Sequence, residues 1–188
     1  MFPISLLRGT PNPDVLPVFK TTEYPWTDGS FRPLAHARCA VVDGEGVYFE
    51  LVGFERNPAR SGAVLDGSCM AVSFQFFETP ARLLTVAVAP DGRSEAYVDG
   101  EPWALALPVS VFAGEDEQGW YHGVRFLLPS QQLFSLYGRS KMAAGHKMKG
   151  NIYKFKRTGG DSHMGAVGPM AENSIFSTRN LCDFCVEN

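Results

Sequence analysis

Cys69-Met70-Ala71-Val72-Ser73-Phe74-Gln75-Phe76-Phe77 alternates two kinds of side chain. Met70, Val72, Phe74 and Phe76 are large and apolar, whereas Ala71, Ser73 and Gln75 are small or polar. Successive side chains of a strand point to opposite faces, so this stretch reads as a strand with one core face and one face of small groups. Residues 82–89 repeat the arrangement, with Leu84, Val86 and Val88 set against Leu83, Thr85, Ala87 and Ala89.

Strand signals continue on both sides. In residues 35–42, Ala37, Cys39 and Val41 alternate with His36 and Arg38. The turn Asp43-Gly44-Glu45-Gly46 joins that segment to residues 47–52, which reads as a hairpin. Pro90-Asp91-Gly92-Arg93 and Asp99-Gly100-Glu101-Pro102 are turns flanking a strand at 95–99. Further strands are expected at 104–112, 120–128, 150–157 and 182–186. One short helix is expected at 130–137, with Ser130 as its cap, Leu133, Phe134 and Tyr137 at i, i+1 and i+4, and Gly138 ending it. Short strands with frequent turns point to an all-β, antiparallel β-sandwich of jelly-roll type with one short helix.

Residues 1–33, with Pro3, Pro11, Pro13, Pro17, Pro25 and Pro33, read as an irregular lead-in packed on a single domain at 34–188. Residues 159–173 read as a long glycine-rich connection. The chain has 188 residues, enough for a sizeable core. Its 17 basic and 20 acidic side chains leave a net charge of −3, which argues against nucleic-acid binding. Lys147, Lys149, Lys154, Lys156 and Arg157 are interleaved with Tyr153 and Phe155, a pattern that a solvated strand also shows. No apolar run approaches a membrane span, and the first residues lack the features of a secretory signal, so no membrane partner and a cytoplasmic location are expected.

Candidate reactive groups are sparse. Cys39 and Cys69 sit in apolar runs as small hydrophobes. The Cys182-x-x-Cys185 pair lacks the further ligands of a zinc site and the strand-to-helix setting of a redox motif, so a terminal strand is expected there. The four histidines have no metal-like spacing, and acids such as Asp14, Glu23 and Asp28 are scattered singly. No metal, cofactor or catalytic residue is assigned.

Two segments carry a family resemblance. Leu65-Asp66-Gly67-Ser68-Cys69-Met70-Ala71-Val72 is the first. The second is Lys149-Gly150-Asn151-Ile152-Tyr153-Lys154 with His163-Met164-Gly165-Ala166-Val167-Gly168-Pro169-Met170. Together they resemble the family 9-like carbohydrate-binding modules, bacterial β-sandwiches that hold sugars between aromatic side chains. Asp66, Ser68, Cys69, Gly150, Asn151, Tyr153, Lys154, His163, Gly165 and Pro169 match. Leu65 and Val167 stand where the family has tryptophan, Ala71 and Ala87 where it has glutamate, and Ala89 where it has asparagine.

The resemblance implies a non-catalytic module linked to glycan utilisation, with a mono- or oligosaccharide as ligand and a degenerate site. The residues expected to touch that ligand are Asn151, Lys154 and Gln75 as hydrogen-bonding groups, Trp103 as a stacking platform, and His163. A protein-interaction module that has lost the sugar, with a protein partner instead, is the alternative, and a glycoside hydrolase a third. The small-residue face is expected to be filled from within by Met148, Met164, Met170 or Trp103. Trp120 is expected in the core, with Trp26 and Trp103 in loops.

Overall fold

The computed structural model describes residues 1–27, 31–157 and 161–188; Asp28 and Gly159, named above, lie outside them. The strands in chain order are β1 (Phe2–Leu7), β2 (Phe19–Lys20), β3 (Ala35–Val42), β4 (Gly46–Gly53), β5 (Ser68–Gln75), β6 (Leu84–Val88) and β7 (Ser94–Val98). They continue as β8 (Glu101–Trp103), β9 (Val109–Asp116), β10 (Gly119–Pro129), β11 (Lys147–Lys156), β12 (His163–Ala166) and β13 (Cys182–Glu187). A single α-helix among the described residues, α1, spans Ser130–Tyr137.

The protein is all-β, and its strands form one hydrogen-bonded path, β8-β7-β6-β5-β11-β13-β1-β3-β4-β10-β9. β5 and β4 are five pairings apart along it, which in a flat sheet is roughly 24 Å at the usual strand spacing. Yet Phe74 of β5 and Phe49 of β4 bring their ring centroids to 5.7 Å. The sheet therefore folds over on itself. The enclosed core holds Met70, Val72, Phe74, Val86 and Val88 from one half and Cys39, Phe49, Leu51, Val124 and Phe126 from the other. The large apolar sets read from the sequence are the ones buried between the halves.

Besides the strand expected at 104–112, which runs at Val109–Asp116 instead, two features depart from expectation. The N-terminal stretch is not simply an irregular lead-in: β1 lies within the sheet, pairing parallel with both β13 and β3, so the sheet is mixed rather than purely antiparallel. Pro3 hides this strand from a sequence reading, since proline is depleted in strands. Second, the glycine-rich connection contains β12, which pairs with the end of β11.

The helix lies where expected, but Pro129 is its N-cap. Ser130 is the first helical residue and donates its hydroxyl to the Gly44 carbonyl at 3.0 Å. Leu133 and Tyr137 are buried, while Phe134 turns outward. Gly138 closes the helix at φ 69°, in the left-handed region that glycine tolerates.

One edge of β11 changes partner midway. Lys147 to Gly150 pair with β13, and Tyr153 to Lys156 pair with β12. Asn151 and Ile152 fall in the gap between the two partners. That switch and its neighbours organise the region the sequence singled out.

Candidate functional site

Asn151 is fully buried at the switch, and its amide stands in for a missing ladder partner. Its Oδ1 accepts from the Ile152 and Gly168 N–H groups, both at 2.9 Å. Its Nδ2 donates to the carbonyls of Asn180 at 2.8 Å and Gly168 at 3.3 Å. All four hydrogen-bonding positions of the amide are thus used within the chain, and none is left for a sugar.

Asn180, in a turn of 3-10 helix at Thr178–Asn180, does the same for the next loop. Its Oδ1 accepts from the N–H groups of Ala171 and Glu172, and its Nδ2 donates to the carbonyls of Glu172 and Ser174. These two asparagines pin the segment after β12 across the small-residue face of β5 and β6. Ala71, Ala87 and Ala89 are covered there by Tyr153, Phe155, Met164 and Ile175, with Leu65, Met170 and Phe176 packed alongside. Ser73 donates to the Ile175 carbonyl at 2.7 Å, and Thr85 donates to Ser73 at 3.0 Å. The face is filled from within. Met164 and Met170 take part, whereas Met148 and Trp103 pack against the other core.

Lys154 also departs from the solvated-strand reading. It is 0 % exposed, and its Nζ lies 2.8 Å from Glu55 Oε2. Glu55 accepts a second bond from the Ser68 hydroxyl at 2.9 Å. Burial pushes the Lys154 ammonium below its ordinary value against the pull of Glu55. Burial also works to raise the Glu55 carboxyl, but Lys154 and Ser68 outweigh it and hold it below the ordinary range. Both partners are therefore committed to each other.

Two buried histidines flank this pair. For His122, burial first and then Lys154 lower the pKa to about 4. Neither of its ring nitrogens makes a hydrogen bond among the described residues, although the nearby Glu55 backbone slightly favours its cation. His163 is likewise held at about 4, by burial and then Lys154. Its Nδ1 lies 2.8 Å from the Asp161 carbonyl. A carbonyl only accepts, so Nδ1 carries the proton and Nε2 is an acceptor, buried without a partner among the described residues.

The remaining expected residues lie elsewhere. Gln75 ends β5 beside Lys149, far along the strand from His163, and borders a separate depression with Phe77, Glu78 and Lys147. Trp103 leans on the enclosed core. The five residues thus do not converge on one site. Cys182 and Cys185 are free thiols three positions apart on β13, so strand alternation points them to opposite faces. Among the described residues no group of side chains has the makings of a metal site. Trp120, expected in the core, is 47 % exposed at the start of β10.

What lies open is a cleft of about 390 Å³ at the end of β11 and β12, beside the covered face. Trp26, Lys156, Arg157, Ser162, His163 and Asn173 border it, with Phe155, Met164 and Ile175 as its apolar wall. Trp26 is 44 % exposed. Its position is set by the chain before it, which runs along β12: the Thr22 and Glu23 N–H groups both reach the Ala166 carbonyl, and the Met164 N–H reaches the Thr27 hydroxyl. The Tyr24 ring packs against Gly165, where any side chain would place its Cβ 2.3 Å from the ring. Arg157 sits over the Phe155 ring at 5.8 Å. The sequence offered Trp26 as a loop tryptophan but no sign that it meets β11 and β12.

No family model and no curated protein matches this chain. Among solved structures, it is similar to a candidate carbohydrate-binding protein from Bacteroides uniformis, at a TM-score of 0.73 and 14% identity over 99% of each chain. It is also similar to a family 9 carbohydrate-binding module from Caldicellulosiruptor kristjanssonii in complex with glucose, at a TM-score of 0.67 and 9% identity. That match covers 98% of this chain and 95% of the other. The fold of this protein is that of the family 9-like carbohydrate-binding modules.

Proposed function

We propose that this protein is a non-catalytic glycan-binding module whose ligand enters the cleft beside Trp26. The exposed indole in a concave, polar-rimmed cleft is the observation that carries the reading. A flat aromatic face suits the C–H face of a pyranose ring. Ser162 and Asn173 replace water on its hydroxyls, which matters because each hydroxyl desolvated without a partner costs about 1–3 kcal/mol. The buried Nε2 of His163 is an acceptor that a hydroxyl satisfies once the Phe31 ring, edge-on at 5.6 Å, swings aside. The similarity to a fold seen with glucose supports this reading at the level of architecture.

The test is calorimetry and tryptophan fluorescence with a panel of mono- and oligosaccharides, on wild type and Trp26→Ala. Binding that is lost in the variant supports the assignment. Silence across the panel from folded protein sinks it. A second reading, a protein-binding module, is favoured by Trp120 and Phe31, which are 47 % and 42 % exposed and share a depression with Phe54.

A further inference from the structure

The protein as a whole is acidic, at a net charge of −3. Its cleft is not. Among the described residues that border it, the charged side chains are Lys156 and Arg157, and no carboxylate lines it. The acid paired with Lys156 is Asp161, whose oxygen stands at 4.0 Å and whose side chain is 68% exposed. An ion pair this long and this open to water holds its partners weakly. Arg157 has no ion pair with a described residue, and its guanidinium carbon stands 5.8 Å from the centroid of the Phe155 ring. No carboxylate of a described residue takes up its N–H donors, so the fork is available to an anion in the cleft.

Resting on the reading of this cleft as the glycan site, we propose that the saccharide it takes is anionic, a hexuronate. The ring carboxylate lies on Arg157, with Lys156 as the second cation, and the pyranose face lies on Trp26. A carboxylate matches the guanidinium edge with two parallel hydrogen bonds, which a hydroxyl cannot do. A uronate thereby meets the cations and the indole together, whereas a neutral hexose leaves Arg157 without a counter-charge and Lys156 with only its long pair to Asp161. In a protein that repels anions overall, a cation pair beside a stacking residue selects the acidic member of a sugar family.

The experiment is calorimetry with glucuronate and galacturonate oligomers, the matching neutral oligomers and a sulfated hexose, at low and high salt. Uronates are expected to bind about tenfold tighter than neutral sugars at low salt, the scale of one partly exposed charge pair. That preference should shrink to about twofold near 0.5 M salt, where the screening length is only a few ångströms. Arg157→Gln, at an exposed position, should abolish the preference of the cleft for uronates over neutral sugars. Equal or tighter binding of the neutral sugars overturns the uronate assignment and leaves the glycan reading standing. A stronger grip on the sulfated hexose also overturns it, because a sulfate then fits the fork better. A preference that survives Arg157→Gln refutes the residue's role. The absence of binding to any saccharide removes both readings at once.

Discussion

Two neighbouring surfaces of this molecule share an origin in the same strands and have opposite fates. The face of β5 and β6 made of Ala71, Ser73, Thr85, Ala87 and Ala89 is sealed, with exposures of 5 % or less. The cleft a few residues further along β11 and β12 is open and ends in Trp26, Lys156, Arg157 and Asn173. Small side chains leave volume above a sheet, and a close-packed interior requires that volume to be filled. Here the chain fills it with its own Met164 and Ile175, and it satisfies the hydroxyls of Ser73 and Thr85 internally. Among the described residues the rim has no such cover. The lesson is that a resemblance in strand sequence locates the fold, while the ligand chemistry depends on what the connecting segments do above it.

The sharpest way to break the sealed side is at its buried charge. Lys154→Met removes the partner of Glu55, which is 7 % exposed, and leaves a carboxylate stranded in the interior. A loss of about 3–5 kcal/mol is expected, read as a shifted urea midpoint. Adding Glu55→Gln should recover much of that loss, because no uncompensated charge remains. If the single variant is as stable as wild type, the pair is not as dry as its geometry shows.

Next in size is the anchor of the cover. Asn180→Ala deletes four hydrogen bonds to the backbone of residues 171–174. It should cost about 2–4 kcal/mol, since some of the freed groups lose their only partner. Binding of a fluorescent apolar dye should rise as the covering segment lifts from Ala71 and Ala87. A destabilised variant with no added dye binding would mean that Met164 and Ile175 hold the cover without the asparagine.

A third, smaller effect is a pH dependence set by His122 and His163. Both fold to a pKa of about 4, from an ordinary value of roughly 6.5 in the unfolded chain. The unfolded state therefore takes up protons first as the pH falls. Their contribution is fully present above about pH 6.5, declines between there and about pH 4, and levels off below. At full value the shifts amount to about 3 kcal/mol for each histidine between pH 7 and pH 4, and relaxation with water entry on protonation reduces the expected sum for the two to about 2–3 kcal/mol. Lys154 and Glu55 face both rings, and Glu55 adds its own loss as it protonates at the acid end of that window and below. Replacing both histidines with glutamine should flatten the profile above pH 4.5; an unchanged slope would assign it to other groups.

Much of the fold was legible because alternation is a local signal. β3 and the helix fall at the residues expected, and the apolar sets of β5 and β6 face the enclosed core. What stayed hidden depends on distant partners. β1 is a strand through parallel pairing with segments more than thirty residues away, in spite of Pro3. Lys154 looks like a solvated lysine until Glu55, a hundred residues earlier, closes on it. The matches at Asn151 and Gly165 were legible as motif positions. Their work is structural, the first at a strand-partner switch and the second beneath Tyr24. Of the five expected site residues only His163 borders the open cleft, because cleft membership is decided by where residues 21–27 cross β12.

The open side should respond in the opposite sense from the sealed one. Trp26 is 44 % exposed, so only part of its indole is covered, and Trp26→Ala should lower the unfolding free energy by about 1–2 kcal/mol. Its effect on saccharide affinity should instead be complete, because the variant leaves the pyranose without a stacking face. The two readouts together decide whether the division between the surfaces holds. A variant that keeps its affinity places the ligand away from Trp26. One that loses stability by several kcal/mol shows that the indole belongs to the cover of Phe155 and Met164, and then the rim is one more part of the seal rather than a site.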